Sequence, residues 1–241
     1  MRLIEMLSKV EDKRSRFGLR HELTDVMLMC IMAIMSGYYG YREIGRFLKN
    51  HSKEFQQTFR LLHKVPSHVT VRAILQSIDF ESLCNAFNDW AGQYVQVGKD
   101  YTNAIDGKAI ASTMVNYDNS YQNFISLVSV FSVQRGIVLR CEKIENNKES
   151  EIPTVRKLIE ALDVKSEIFT IDALHCQKKT TKVIIDSGND YIIQVKGNQK
   201  LLQDQIMINT ASDSKSVDIQ QTTFKHKGRI EHRKRSVFIR I

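Results

Sequence analysis

At 241 residues and 42% apolar content, the chain can bury one large hydrophobic core or two modest ones. A formal net charge of +8 favours a polyanionic partner, of which nucleic acid is the commonest. The longest apolar run, Val26 to Met35, is too short to span a bilayer, and Glu5, Glu11 and Asp12 stand where a signal peptide would be apolar, so a soluble protein is expected.

Residues 1–97 read as helical. Leu23 to Met35 is rich in Leu, Met, Ile and Ala, and Gly37-Tyr-Tyr-Gly40 ends that helix. Ile44, Phe47 and Leu48 mark a second helix by their i, i+3, i+4 spacing. Ser67 is placed to cap a third, striped by Val71, Ile74 and Leu75. Asp79 opens a fourth, in which Phe80, Leu83, Phe87 and Trp90 recur at helical spacing. The stretch from Gly40 to Ser77 could hold a helix-turn-helix with Arg72 on the exposed face, but such a pattern has weak specificity and a plain helical bundle is the commoner arrangement.

Gly98-Lys-Asp100 marks a boundary, after which the pattern changes. Thr102 to Asp106, Phe124 to Val133 and Ile137 to Ile144 read as a strand meander, the last two joined by a tight turn at Gln134-Arg-Gly136. A helix from Ile152 to Leu162, a strand ending at Ile171, a helix from His175 to Ser187, a strand from Asp190 to Lys196 and a helix from Gln199 to Met207 follow. The expected fold is α/β: a mixed sheet in the order β-β-β-α-β-α-β of an RNase H-like core over residues 98–241, preceded by an all-α domain. From about residue 210 a β insertion is expected, with strands at Ile219 to Phe224 and Arg235 to Ile241 flanking a basic connection. It contains residues 225–235, which hold six Lys or Arg, two His and one acid, a composition suited to releasing counterions from DNA.

Asp106 and Asp172 each follow an apolar strand, and a carboxylate at such a core rim needs a hydrogen bond, an ion pair or a metal. Taken singly, each is equally a turn former or a helix cap. In the expected sheet the two strands are neighbours, so both acids meet at one place. Hard carboxylate oxygens suit Mg²⁺ or Mn²⁺, and paired ions about 3.5–4 Å apart support phosphodiester cleavage and strand transfer. The four cysteines lack C-x-x-C spacing, which argues against a zinc knuckle and for reduced thiols of a cytosolic protein. No glycine-rich phosphate loop and no G-x-S-x-G elbow is present.

Ala104-Ile-Asp-Gly-Lys108 resembles the first-aspartate motif of H-repeat-associated insertion-sequence DDE transposases, and Thr170-Ile-Asp-Ala-Leu-His-Cys-Gln-Lys178 resembles the second. Asp190-Tyr-Ile-Ile-Gln-Val-Lys-Gly-Asn-Gln199 is similar to the family's K-G-N-Q strand. His226-Lys-Gly-Arg-Ile-Glu231 is similar to its H-G-R-I-E segment with Lys227 inserted. Pro66-Ser-His-Val-Thr70 and the helix around Trp90 resemble its N-terminal associated domain, a DNA-binding candidate.

The resemblance implies divalent-metal-dependent cutting and joining of double-stranded DNA at terminal inverted repeats, by a bacterial cytoplasmic, nucleoid-associated protein that acts as a homodimer. It implies that Asp106 and Asp172 are catalytic metal ligands. Lys108, Lys178, Lys196, Asn198, Gln199, Lys225, Lys227, Arg229, Arg233, Lys234 and Arg235 are the expected DNA contacts. Two departures stand out. Ala109 to Ser112 lacks the Arg that commonly follows the first motif, and the family's third acid lies in an H-W-x-I-E-N-like segment not found here. Glu231 is the remaining acidic candidate. The expectation is a C-terminally truncated transposase, with a non-catalytic DNA-binding fragment or an RNase H-like nuclease as alternatives.

Overall fold

A computed structural model describes residues 2–15, 17, 19–95, 101–115, 123–145, 150–212, 216–226 and 229–238; the side chains of 111–115, 123, 124, 212, 226, 229 and 231 lie outside this description. The chain divides into two compact units, Met1–Ile192 and Ile193–Ile241.

The first unit begins with α1 (Leu3–Leu7), α2 (Leu23–Met35), α3 (Tyr41–Asn50), α4 (Ser52–Thr58), α5 (His68–Ser77) and α6 (Phe80–Gly92). Both predicted caps form. The Thr70 amide donates to Ser67 Oγ at 3.2 Å and the Glu81 amide to Asp79 Oδ1 at 3.1 Å. Val26, Met29, Ala33, Leu48 and Val71 are fully buried, so α2, α3 and α5 share one apolar core. The helical-bundle reading of this stretch fits better than a tight helix-turn-helix, because α4 intervenes between α3 and α5. Arg72 is exposed as expected.

From Thr102 the chain is mixed α/β: β1 (Thr102–Val115), β2 (Asn123–Ser132), β3 (Ile137–Glu145), α7 (Glu151–Leu162), β4 (Ile168–Ile171), α8 (Lys178–Asp186) and β5 (Asp190–Ile193). The sheet order is β3-β2-β1-β4-β5. β2 is antiparallel to both β1 and β3, whereas β4 is parallel to β1. Gly136, at φ 65°, supplies the left-handed residue of the β2–β3 turn. Val155, Leu158, Ile159 and Leu162 give α7 one buried stripe against β2 and β3.

The helical segment joins the sheet through a side-chain amide. Asn88 on α6 donates to the Cys141 carbonyl and accepts from the Cys141 amide, both at 2.9 Å. Asn88 thereby satisfies backbone groups of the edge strand β3 that would otherwise invite another strand. The cysteines are free thiols, three of them buried. Burial raises the Cys30 thiol to about 11, and the hydrogen bond shared with the Cys141 sulfur, together with burial, raises the Cys84 thiol.

The second unit holds α9 (Lys200–Ser212) and the antiparallel pair β6 (Asp218–His226) and β7 (Arg229–Val237). Its strands run through the basic segment instead of flanking it, since ladder hydrogen bonds form whatever the side-chain charge. Among the described residues no helix is long and apolar enough to cross a membrane.

Candidate functional site

Asp106 does not end its strand: β1 continues to Val115 along its antiparallel partner β2. What ends there is the parallel ladder with β4, whose last pair is Ile105 and Ile171. Asp106 and Asp172 are each the next residue beyond that pair. Ile105 and Ile171 are both 5% exposed, whereas both aspartates are exposed. The backbone at Asp172 is still extended (φ −68°, ψ 165°), so strand alternation turns both carboxylates away from the face that buries the isoleucines. Neighbouring strands lie roughly 4.8 Å apart. The Asp172 carboxylate also accepts from the Ala173 amide at 2.6 Å, capping the short 3₁₀ turn Ala173–His175.

Two residues that the sequence does not single out as site candidates lie close behind this pair. Glu151, the first residue of α7, accepts a 3.0 Å hydrogen bond from Nε2 of His175, whose ring is buried. A Cβ on Gly107 would meet the Glu151 carboxyl at 2.6–2.7 Å, so the glycine after Asp106 admits that carboxylate against the strand. Glu151 thus bridges the β1 segment carrying Asp106 and the turn carrying Asp172. The acid in the first turn of α7 was visible in the sequence, but nothing local marked the strand it would touch.

The substitution Gly107→Ala is therefore expected to push Glu151 off His175 and leave a buried imidazole unsatisfied, at a cost of about 1–3 kcal/mol. Chemical denaturation checks this, and in a Glu151→Ala background the same substitution should cost clearly less. Equal costs in both backgrounds would show that the close approach does not matter.

The predicted DNA contacts spread over both units. Lys108 is exposed and two residues on from Asp106, on the same face of β1. Lys178 opens α8, where Arg156 fixes the preceding Gln177 by a 2.8 Å hydrogen bond. Lys196 precedes the turn Gly197–Gln199 in the second unit, rather than ending a strand, because β5 stops at Ile193. Lys225 on β6 and Arg233, Lys234 and Arg235 on β7 are exposed, with Arg233 set 5.7 Å from the Phe224 ring centre. The backbones of Arg229 and Glu231 belong to β7, opposite His226 and Phe224, and Lys227 lies outside the described residues. Among the described residues no three His, Cys, Asp or Glu side chains form a group able to hold a metal ion.

Comparison with known proteins divides the chain between α6 and β1. Residues 4–91 match the family model described as DDE_Tnp_1-associated, and residues 98–238 match the model of the transposase DDE domain. The H repeat-associated transposase relative YbfD of Escherichia coli K12 is 31% identical over 82% of this chain and 77% of its own length. YhhI from the same strain, named likewise, is 30% identical over 82% of this chain but 52% of its own length, so the chain spans about half of that relative. Among solved structures, the piggyBac transposase synaptic complex with hairpin DNA aligns over 95% of this chain and 55% of that one, at a TM-score of 0.47 and 9% identity.

Proposed function

The chain belongs to the transposase DDE-domain family, and we propose that it cuts and joins double-stranded DNA at insertion-sequence ends, using a divalent metal held by Asp106 and Asp172. The observation that carries this reading is the register: two exposed acids at equivalent positions just beyond the last pair of a parallel ladder. The donor set fits a hard cation, because two carboxylates with open solvent around them suit Mg²⁺ or Mn²⁺, which keep several waters. Such an ion supplies a polarised nucleophile and stabilises the leaving oxygen.

The protein's own contribution is placement. Buried Ile105 and Ile171 anchor the two backbones, and the Ala173 amide aims one oxygen of Asp172. Glu151 and His175 hold the turn after β4 against β1. Lys108, on the Asp106 face, is placed to meet a phosphate, and the basic β6–β7 pair adds Lys225, Arg233, Lys234 and Arg235 as counter-charge for the DNA backbone. The element order and parallel β1–β4 pairing support an RNase H-like core; the helical segment is proposed as a DNA-binding domain and a homodimer as the working species.

A second reading is a DNA-binding protein that does not cleave. It is favoured by the lack, among the described residues, of a third metal-binding side chain beside the aspartates. One experiment separates the two: incubation with element-end DNA and Mg²⁺, alongside binding to the same ends and to random duplex at one stated salt concentration. Cleavage confined to the ends supports transposition, binding without cleavage supports the second reading, and cleavage indifferent to end sequence removes both in favour of a general nuclease.

A further inference from the structure

A cavity of about 720 Å³ runs beside α5, far in sequence from the aspartates. One wall carries Arg14, Arg20, His63 and Lys64; the other is a side of α5 that offers the hydroxyls of Ser67 and Thr70. No carboxylate lines it among the described residues. The Arg14 guanidinium is pre-positioned by two hydrogen bonds to Asp12, at 2.6 and 2.8 Å, and a third at 2.9 Å to the His21 carbonyl. Among the described residues neither Arg20 nor Lys64 has an ion-pair partner, which leaves net positive charge beside the positive end of a ten-residue helix.

Two further features narrow the ligand. His21 lines the cavity at 8% exposure, and its Nδ1 is buried with no hydrogen-bond partner. Burial, reinforced by the nearby charges of His63, Arg14 and Arg20, keeps its imidazole below the usual histidine range, so at neutral pH one ring nitrogen remains an unsatisfied neutral group. Phe17, also on the cavity lining, is 96% exposed. Cations and hydroxyls alone would suit any phosphate. An exposed aromatic ring on the same lining adds a flat surface for a base or sugar, the combination that nucleic-acid grooves use.

We propose that this groove seats a backbone phosphodiester of DNA, with Arg20 and Lys64 as counter-charge, Arg14 as a fixed hydrogen-bonding wall and Phe17 against the adjoining nucleoside. The proposal rests on the DNA-binding reading above for its ligand, but it uses neither the aspartates nor a metal.

The test measures fluorescence anisotropy of a labelled random duplex with the full chain, without divalent metal, over a range of salt concentrations. The double variant Arg20→Ala/Lys64→Ala should flatten the log–log salt dependence by about 0.9, the value for one lost phosphate contact. Lys49→Ala/Lys53→Ala, an equal loss of charge outside the groove, should leave the slope unchanged. Phe17→Ala should weaken binding without altering the slope.

In parallel, inorganic phosphate should shift the ring NMR signals of His21 and His63 saturably in the wild type and not in the double variant. An unchanged slope in the groove variant, or an equal change in the control variant, overturns the proposal. So does phosphate binding with no effect on DNA, which would mark a site for a free anion. Loss of cleavage in an aspartate variant with the groove's slope intact would leave this inference standing, and the reverse result would leave the metal-centred reading standing.

Discussion

Asp106→Asn and Asp172→Asn are each expected to weaken Mn²⁺ binding by more than roughly 100-fold, beyond the 10–100-fold that loss of an outer-shell partner costs. Each replaces an anionic oxygen donor with a neutral amide at a position where the ladder leaves both carboxylates exposed side by side. DNA affinity should hold or rise slightly, since removing a negative charge near the phosphate backbone reduces repulsion. Calorimetric titration of the full chain with Mn²⁺, together with duplex binding at fixed salt, measures both quantities. Wild-type Mn²⁺ affinity in either variant would detach that aspartate from the metal. A parallel collapse of DNA binding would instead point to a damaged fold.

The second large effect concerns stability. Glu167 is completely buried immediately before β4. One of its oxygens meets Arg135 Nη2 at 2.7 Å, and the other accepts from Asn103 Nδ2 at 2.5 Å. The Arg135 side chain is 8% exposed and stacks 4.4 Å from the Tyr101 ring centre. The group therefore ties the β2–β3 turn to the strand that leads to Asp172. Removing one partner strands a buried charge, so Glu167→Ala is expected to cost about 3–5 kcal/mol. Replacing Glu167 and Arg135 together by apolar residues of similar volume should recover most of that loss. Urea denaturation of the three variants checks this, and a Glu167→Ala cost below about 1 kcal/mol would place the pair among ordinary surface bridges.

Much of this organisation was legible locally. Helix caps at Ser67 and Asp79, apolar spacing in α3, α5 and α6, and the glycine turn at Gly136 depend on neighbours in sequence, so the pattern of residue types predicts them. Strand ends were read less well. An apolar run closing on Asp106 looks finished, yet β1 persists to Val115 because a ladder's length is set by its partner strand. The basic run at 225–235 looked like a connection for the same reason, and it lies largely within β6 and β7.

Residue types, their periodicity and the blocks around Asp106 and Asp172 were enough to name both acids, the family and the change from helices to sheet, because these are properties of short segments. The tertiary structure alone decided that Ile105 pairs with Ile171, that Glu151 reaches Gly107 and His175, that Asn88 covers the edge of β3, and that Arg14, Arg20 and Lys64 line one groove with Ser67 and Thr70. Each of these joins residues distant along the chain through packing and ladder register. Such contacts leave no local pattern, because their energy belongs to the pair and not to either segment.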